Sequence, residues 1–199
     1  MTDKEFFDRI HDDVISDMTS SGILASLTAS QAFIESNKGN SGLTQKANNL
    51  FGMKGTYQGQ SVTMKTKEFK NGKYIVVDAA FRKYPSWKES IADHSSLFNR
   101  LDRYKNLRGL KDYKLACKYV QQDGYATSPS YADTLIRTIE KYKLYEWDYE
   151  SPGPVDLDLI DAINVIADRV IEGRFGYGHD ERKENIYVMV RKRVNEILT

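Results

Sequence analysis

Two glutamates in this chain stand where a carboxyl group can move protons. Glu35 ends a stretch, residues 22–36, in which Leu24, Leu27 and Ile34 recur on one helical face. At about 100° per residue it falls beside Leu24 and Gln31, on the flank of that apolar stripe. One turn later the chain breaks into Gly, Asn and Ser. An acid in this position is partly desolvated, which disfavours its charged form and raises its pKa, as a general acid near neutral pH requires. The plain alternative is a solvated acid near a helix end. Glu68 emerges from a hairpin. Lys70-Asn71-Gly72-Lys73 has the composition of a two-residue turn, because Asn and Gly both accept positive φ. With Asn71-Gly72 as the loop, Glu68 opposes Ile75, Thr66 opposes Val77, Met64 opposes Ala79 and Val62 opposes Phe81 on one face. The other face sets Lys65 against Asp78 and Phe69 against Tyr74. Asp78 is thereby explained by an ion pair. Glu68, on a face of Val, Met, Ile and Phe, is not, and it is the better candidate for a second working carboxylate.

The elements that must position these acids follow from periodicity and caps. Phe6, Phe7, Ile10, Val14 and Met18 predict a helix over 3–18, ended by Thr19-Ser20-Ser21-Gly22. Residues 37–61, rich in Gly and Asn, read as an irregular segment, the natural wall of a cleft, and carry Asn48-Asn49-Leu50-Phe51-Gly52. After the hairpin, Ser86 with Glu89 forms a capping box for a helix through Leu97, Phe98 and Leu101. Residues 100–118 hold seven basic side chains against two acids, a solvated helical face by pattern. Ser128 or Ser130 caps a further helix with Leu135, Ile136, Ile139 and Tyr142. Residues 149–155, with Pro152 and Pro154, are the clearest linker. The expected architecture is mainly α with a β-hairpin lobe over residues 1–148, followed by a small three-helix unit over 156–199.

Composition narrows the function. With 29 basic and 28 acidic residues the chain has no polyanion-attracting field, so nucleic acid is not an expected partner. No apolar run approaches about 18 residues, so no membrane insertion is expected. The single cysteine, Cys117, sits in an apolar helical pattern and reads as a buried structural thiol. His11, His94 and His179 are scattered without metal-ligand spacing, and neither metal nor cofactor is implied. Thirteen tyrosines suit a carbohydrate site, since a ring face stacks on sugar C–H groups while the hydroxyl bonds polar groups, although most serve as core.

Ala32-Phe33-Ile34-Glu35-Ser36, then Ser41-Gly42-Leu43, then Ala47-Asn48-Asn49-Leu50-Phe51-Gly52-Met53-Lys54-Gly55 resembles the signature of the glucosaminidase family of peptidoglycan hydrolases, glycoside hydrolase family 73. The resemblance runs from about residue 5 to 147. It implies a lysozyme-like helical domain that hydrolyses the β-1,4 bond after N-acetylglucosamine in the glycan strands of the bacterial cell wall, with Glu35 as acid. Thr66-Lys67-Glu68-Phe69 before Asn71-Gly72-Lys73 matches the place of the family's second acid. Tyr125, in Gly124-Tyr125-Ala126-Thr127, matches its active-site tyrosine, placed to position a water or bond the N-acetyl group. Tyr84 matches an aromatic near the cleft, with a core tyrosine at a strand end as the equal alternative. Tyr131 is read first as packing and second as a sugar contact. Gln31, Asn48, Asn49 and Phe51 complete the expected substrate-binding set.

Val170 to Lys183 and Val194 to Leu198 resemble the small wall-binding repeat named for the pneumococcal Cp-7 lysin, through Gly173, Phe175, Gly176, Asp180 and Arg182. Phe175 replaces that family's Trp, and a structural or dimerising unit is the alternative. Met1-Thr2-Asp3-Lys4-Glu5-Phe6-Phe7 lacks the apolar core of a secretion signal. A phage endolysin released by a holin, or a tail-borne lysin, would reconcile that start with a target outside the membrane. The rivals are an N-acetylmuramidase or lytic transglycosylase on the same scaffold, and a non-catalytic glycan-binding or phage structural protein.

Overall fold

A computed structural model describes residues 1–70 and 73–150. The linker beyond residue 150 and the C-terminal residues Gly173, Phe175, Gly176, Asp180 and Arg182 lie outside the described residues. Six α-helices, a two-stranded hairpin and two 3-10 turns follow one another there: α1 Asp3–Ser21, α2 Ala25–Glu35, α3 Gly42–Ala47, β1 Ser61–Lys70, β2 Lys73–Arg82, α4 Trp87–Arg100, a 3-10 helix Asp102–Leu107, α5 Tyr113–Gln122, α6 Tyr131–Tyr142 and a 3-10 helix Leu144–Tyr149.

α1 begins at a capping box. Thr2 Oγ1 accepts from the Glu5 N–H while the Glu5 carboxylate accepts from the Thr2 N–H. It runs past the expected end at residue 18 and stops at Gly22, whose left-handed backbone (φ 73°) closes the helix.

α2 is the centre of the domain. Every residue from Ala25 to Ala32 is buried, so the one-sided stripe expected from Leu24, Leu27 and Ile34 is only part of what it covers. The reason is size. Ala25, Ser26, Ala29, Ser30 and Ala32 let α1, α4, α5, α6 and the last 3-10 helix approach from all sides. Its two buried serines are bonded: Ser30 donates to the Leu27 carbonyl, and Ser26 gives both its N–H and its hydroxyl to the Asp148 carboxylate at 2.8 and 2.7 Å; Thr28 Oγ1 is buried without a partner among the described residues.

The helix ends at Glu35. Asn37, Lys38 and Gly39 all take left-handed backbone, with φ of 51°, 58° and 73°. Gly39 is required by space as well: a Cβ there would meet the Trp87 ring at 2.5 Å. The segment expected to be irregular also contains α3. A serine cap creates it, because Ser41 Oγ accepts from the Thr44 N–H at 3.1 Å.

The hairpin has the register read from its turn, with Glu68 opposite Ile75, Lys65 opposite Asp78 and Ser61 opposite Arg82. Lys65 Nζ lies 3.4 Å from the Asp78 carboxylate, as the cross-strand pairing requires. Val62, Met64, Thr66, Ile75, Val77 and Ala79 form its less exposed face; Thr63, Val76, Asp78 and Ala80 face water.

Its hydrogen-bonded ties to the helical body gather at the base, where the Asn48–Gly52 block and Asp93 of α4 make them. Asn49 Nδ2 donates to the carbonyls of Met53 and Arg82, both at 2.9 Å, while its Oδ1 accepts from the Met53 N–H. Asn48, with φ 52°, donates from Nδ2 to the carbonyls of Tyr84 and Pro85 at 3.0 Å. The Leu50 N–H bonds Ser90 Oγ on α4. Arg82 and Tyr84 both donate to Asp93 of α4, at 2.5 and 2.7 Å.

The expected capping box at Ser86 takes a modified form. Ser86 Oγ accepts from the Lys88 N–H and donates to the Glu89 carboxylate. The basic run 100–118 is solvated as expected, with Arg100, Arg103, Lys105, Arg108, Lys111, Lys114 and Lys118 all exposed. It is a 3-10 helix, a loop and α5 rather than one helical face. Cys117 is buried against the core, and burial lifts its thiol to about 12, which makes it inert as a nucleophile.

Candidate active site

Glu35 is the last residue of α2, and the left-handed run behind it turns the backbone away. One side of the residue is open to solvent. Protein atoms still crowd the carboxyl group from the other side, and this desolvation raises its pKa above the usual carboxylate range. Opposing it, the Tyr131 hydroxyl donates to Glu35 Oε1 at 2.8 Å and favours the charged form. The net is a carboxyl biased toward holding its proton yet reachable by a ligand. Among the described residues no charged partner contributes to its shift, and desolvation is what raises it.

Aromatic rings connect this carboxyl to the Asn48–Gly52 block. Tyr131, at the start of α6, lies against Tyr125 with centroids 5.9 Å apart and planes 24° from parallel. Tyr125 meets His94 edge-on at 5.6 Å, and His94 stacks on Phe51 at 3.8 Å. Phe98 closes the group, edge-on to His94 at 4.6 Å. Tyr125 is half-buried, and among the described residues its hydroxyl makes no hydrogen bond. Burial, with the Glu35 charge next, holds that phenol well above its ordinary pKa. A neutral O–H beside the acid can bond a ligand or a water.

The expected substrate contacts divide in two. Glu35, Tyr125 and Tyr131 come together. Phe51 belongs to the same group through His94, and Asn48 lies half-buried at the hairpin base. Gln31, Asn49 and Tyr84 lie beneath the wall at 0, 1 and 2 % exposure, with Gln31 Nε2 donating to Tyr131, Asn49 Nδ2 to the Met53 carbonyl and the Tyr84 hydroxyl to Asp93. Tyr84 is the core tyrosine of the two alternatives. Glu68 is fixed by backbone pairing to Ile75, on the strand face that also carries Thr66 and Met64.

His94 was not singled out from the sequence. Among the described residues neither ring nitrogen has a partner, and complete burial depresses its pKa to about 3, so the ring is a neutral aromatic plate. The available signal was its spacing from Ile91 and Phe98 on the buried face of α4.

A helical domain with one antiparallel hairpin carries a desolvated carboxyl at the end of its central helix and tyrosines on one side of it, the features of a candidate general-acid site. The sequence matches, over residues 11–144, the family described as Glucosaminidase: Mannosyl-glycoprotein endo-beta-N-acetylglucosaminidase. The chain is 45% identical to the exo-glucosaminidase LytG of Bacillus subtilis (strain 168) over 150 residues, which are 73% of this chain and 53% of that protein. It is 38% identical to a probable N-acetylmuramidase of Lactococcus lactis subsp. cremoris over 64% of this chain and 31% of that protein. Among solved structures, the catalytic domain of the autolysin Auto from Listeria monocytogenes superposes with a TM-score of 0.70 at 35% identity, covering 73% of this chain and 87% of that one. The chain belongs to the glucosaminidase family. It spans about half the length of LytG and a smaller share of the Lactococcus protein.

Proposed function

We infer that this chain is a peptidoglycan hydrolase that cleaves the β-1,4 bond after N-acetylglucosamine, with Glu35 as the general acid. The observation that carries the reading is the Glu35 carboxyl itself, protonation-biased by desolvation and open on one side. Glu35 protonates the glycosidic oxygen as the bond to the anomeric carbon lengthens, so the sugar leaves as an alcohol rather than an alkoxide. Glu68 acts from the hairpin, as base on the attacking water or as a countercharge to the oxocarbenium-like sugar. Water addition in the first case inverts the anomeric carbon; attack by the substrate's own N-acetyl group would retain it. Tyr125 bonds that N-acetyl group or orients the water, and Tyr131 sets the acid strength of Glu35 and flanks the sugar.

Family membership and the relatives' names support this class of substrate. Those names disagree on the bond, with LytG named an exo-glucosaminidase and the Lactococcus relatives probable N-acetylmuramidases. The second reading is therefore muramidase cleavage. Mass spectrometry of digested walls separates them: reducing-end N-acetylglucosamine supports our assignment, whereas reducing N-acetylmuramic acid or anhydro-sugar ends overturn it. Early shortening of long strands supports internal cleavage; release of small fragments alone marks attack from the ends. Glu35→Gln is expected to lower wall clearing by at least about a hundredfold with the fold intact. Undiminished clearing removes Glu35 from the chemistry. At the level of biology the reading is a phage-type lysin whose C-terminal residues 156–199 bind the wall. A purified 1–199 chain that pellets with walls no better than residues 1–150 would remove that second assignment.

A further inference from the structure

We propose that Gln31 is a positioning residue that orients the Tyr131 hydroxyl toward Glu35, and so fixes the pH above which the acid is lost. The inference rests on Glu35 being the general acid. Three groups form a directed chain. Gln31 Nε2 donates to Tyr131 Oη at 3.1 Å, and Tyr131 donates onward to Glu35 Oε1 at 2.8 Å. A phenol has one proton. With its acceptor side taken by a buried amide N–H, its own proton goes to Glu35.

Direction matters because a protonated Glu35 can reverse the bond. A tyrosine with a free acceptor lone pair can accept from the neutral acid as well as donate to the carboxylate. Gln31 removes that freedom and favours the charged form, setting a ceiling on the pKa that desolvation raises. Gln31 is completely buried one turn before Glu35 on α2, too deep for substrate. Its Oε1 is buried without a partner among the described residues. An orphaned buried carbonyl opposes stability, so folding alone does not account for an amide in a helix otherwise packed with apolar and small residues. Besides Tyr131, the titratable group acting on Glu35 is Tyr125, while α4 presents His94, held neutral. Neither phenol nor this imidazole changes charge between pH 4 and 8, so titration of these neighbours does not mimic that of Glu35.

The test pairs kinetics with a direct titration. Gln31→Met fills the space without an N–H donor, and Tyr131→Phe removes the relay. In both, the basic limb of the kcat/KM–pH profile for wall digestion is expected to move up by about half to one pH unit, the ordinary worth of one hydrogen bond. The Glu35 carboxyl, identified by 13C NMR as the signal missing from Glu35→Gln, should move with it. Because Gln31 acts through Tyr131, the double variant should shift no further than Tyr131→Phe alone. An unmoved carboxyl in Gln31→Met overturns the proposal. So does a downward move, which would mean that the amide carbonyl restrains Tyr131 instead. Additive shifts in the double variant also overturn it. The NMR titration does not depend on activity, so loss of the hydrolase reading through an active Glu35→Gln remains a separate result.

Discussion

Asp17 offers the sharpest energetic test of the fold. It lies on α1, 9 % exposed, and its Oδ2 accepts from Ser95 of α4 at 2.5 Å and from Ser21 at 3.3 Å. Those bonds favour the carboxylate, but burial outweighs them and raises the pKa from 3.8 to about 6. The nearby C-terminal, negative end of the α1 dipole works in the same direction. At roughly 1.4 kcal/mol per pH unit, a displacement from 3.8 to about 6 makes ionised Asp17 on the order of 3 kcal/mol less favourable folded than unfolded. The folded chain binds more protons than the unfolded chain in that interval, so this contribution reduces stability as pH rises from 3.8 to 6. Asp17→Asn keeps an oxygen for both serines and removes the charge. Allowing for imperfect amide placement, we expect a gain of about 1–2 kcal/mol at pH 7, or a few degrees in melting temperature for a domain of this size. Urea unfolding of both proteins from pH 3 to 7.5 gives the difference directly, with other groups cancelling. The difference should grow through pH 4–6 and level off above. A difference independent of pH, or a wild type that gains on the variant as pH rises, refutes the reasoning.

Other changes have equally definite outcomes. His94→Phe should preserve the stack on Phe51 and remove two unpartnered nitrogens, leaving stability at pH 7 equal or higher by about 1 kcal/mol. Since the folded-state pKa of His94 is lowered from 6.5 to about 3, the wild type should lose stability relative to this variant as pH falls through that window; parallel denaturation curves would contradict it. Gly39→Ala places a Cβ 2.5 Å from Trp87 at a φ of +73° and should destabilise by about 2 kcal/mol or more, measured by chemical unfolding with Trp87 fluorescence as a local probe. An unchanged unfolding midpoint would mean that the loop behind Glu35 is softer than its packing indicates.

Local patterns carried the hairpin completely. A two-residue Asn-Gly turn fixes the loop, and a period of two then assigns every side chain to a face, so the Glu68–Ile75 pairing follows from adjacent residues. The end of α2 was legible for the same reason, because Gly, Asn and Ser cannot continue an apolar helix. What stayed hidden was nonlocal. Tyr131 reaches Glu35 across 96 positions, and no spacing rule places one beside the other. Asn49 and Tyr84 read as ligand contacts because polar and aromatic residues near a cleft fit that role. Only packing reveals that Asn49 bridges two carbonyls and that the Tyr84 hydroxyl is held by Asp93. α2 looked one-sided because its small residues carry little hydrophobic signal, although they are what allows helices to close around it. α3 was missed because a glycine opens it and it is six residues long.

The gathering of the hairpin's ties at one end has a mechanical consequence. From Ser61 to Glu68 the strand rises about 23 Å, at roughly 3.3 Å per residue. The Asn49, Arg82 and Asp93 bonds act as a fulcrum at the near end of that arm. A swing of about 10° about the fulcrum would carry the Glu68 backbone on the order of 4 Å, more than the length of a hydrogen bond. Leverage of this kind makes the reach of Glu68 sensitive to residues far from it. A lost amide at Asn49 or carboxylate at Asp93 would be felt most strongly at the far end of the arm.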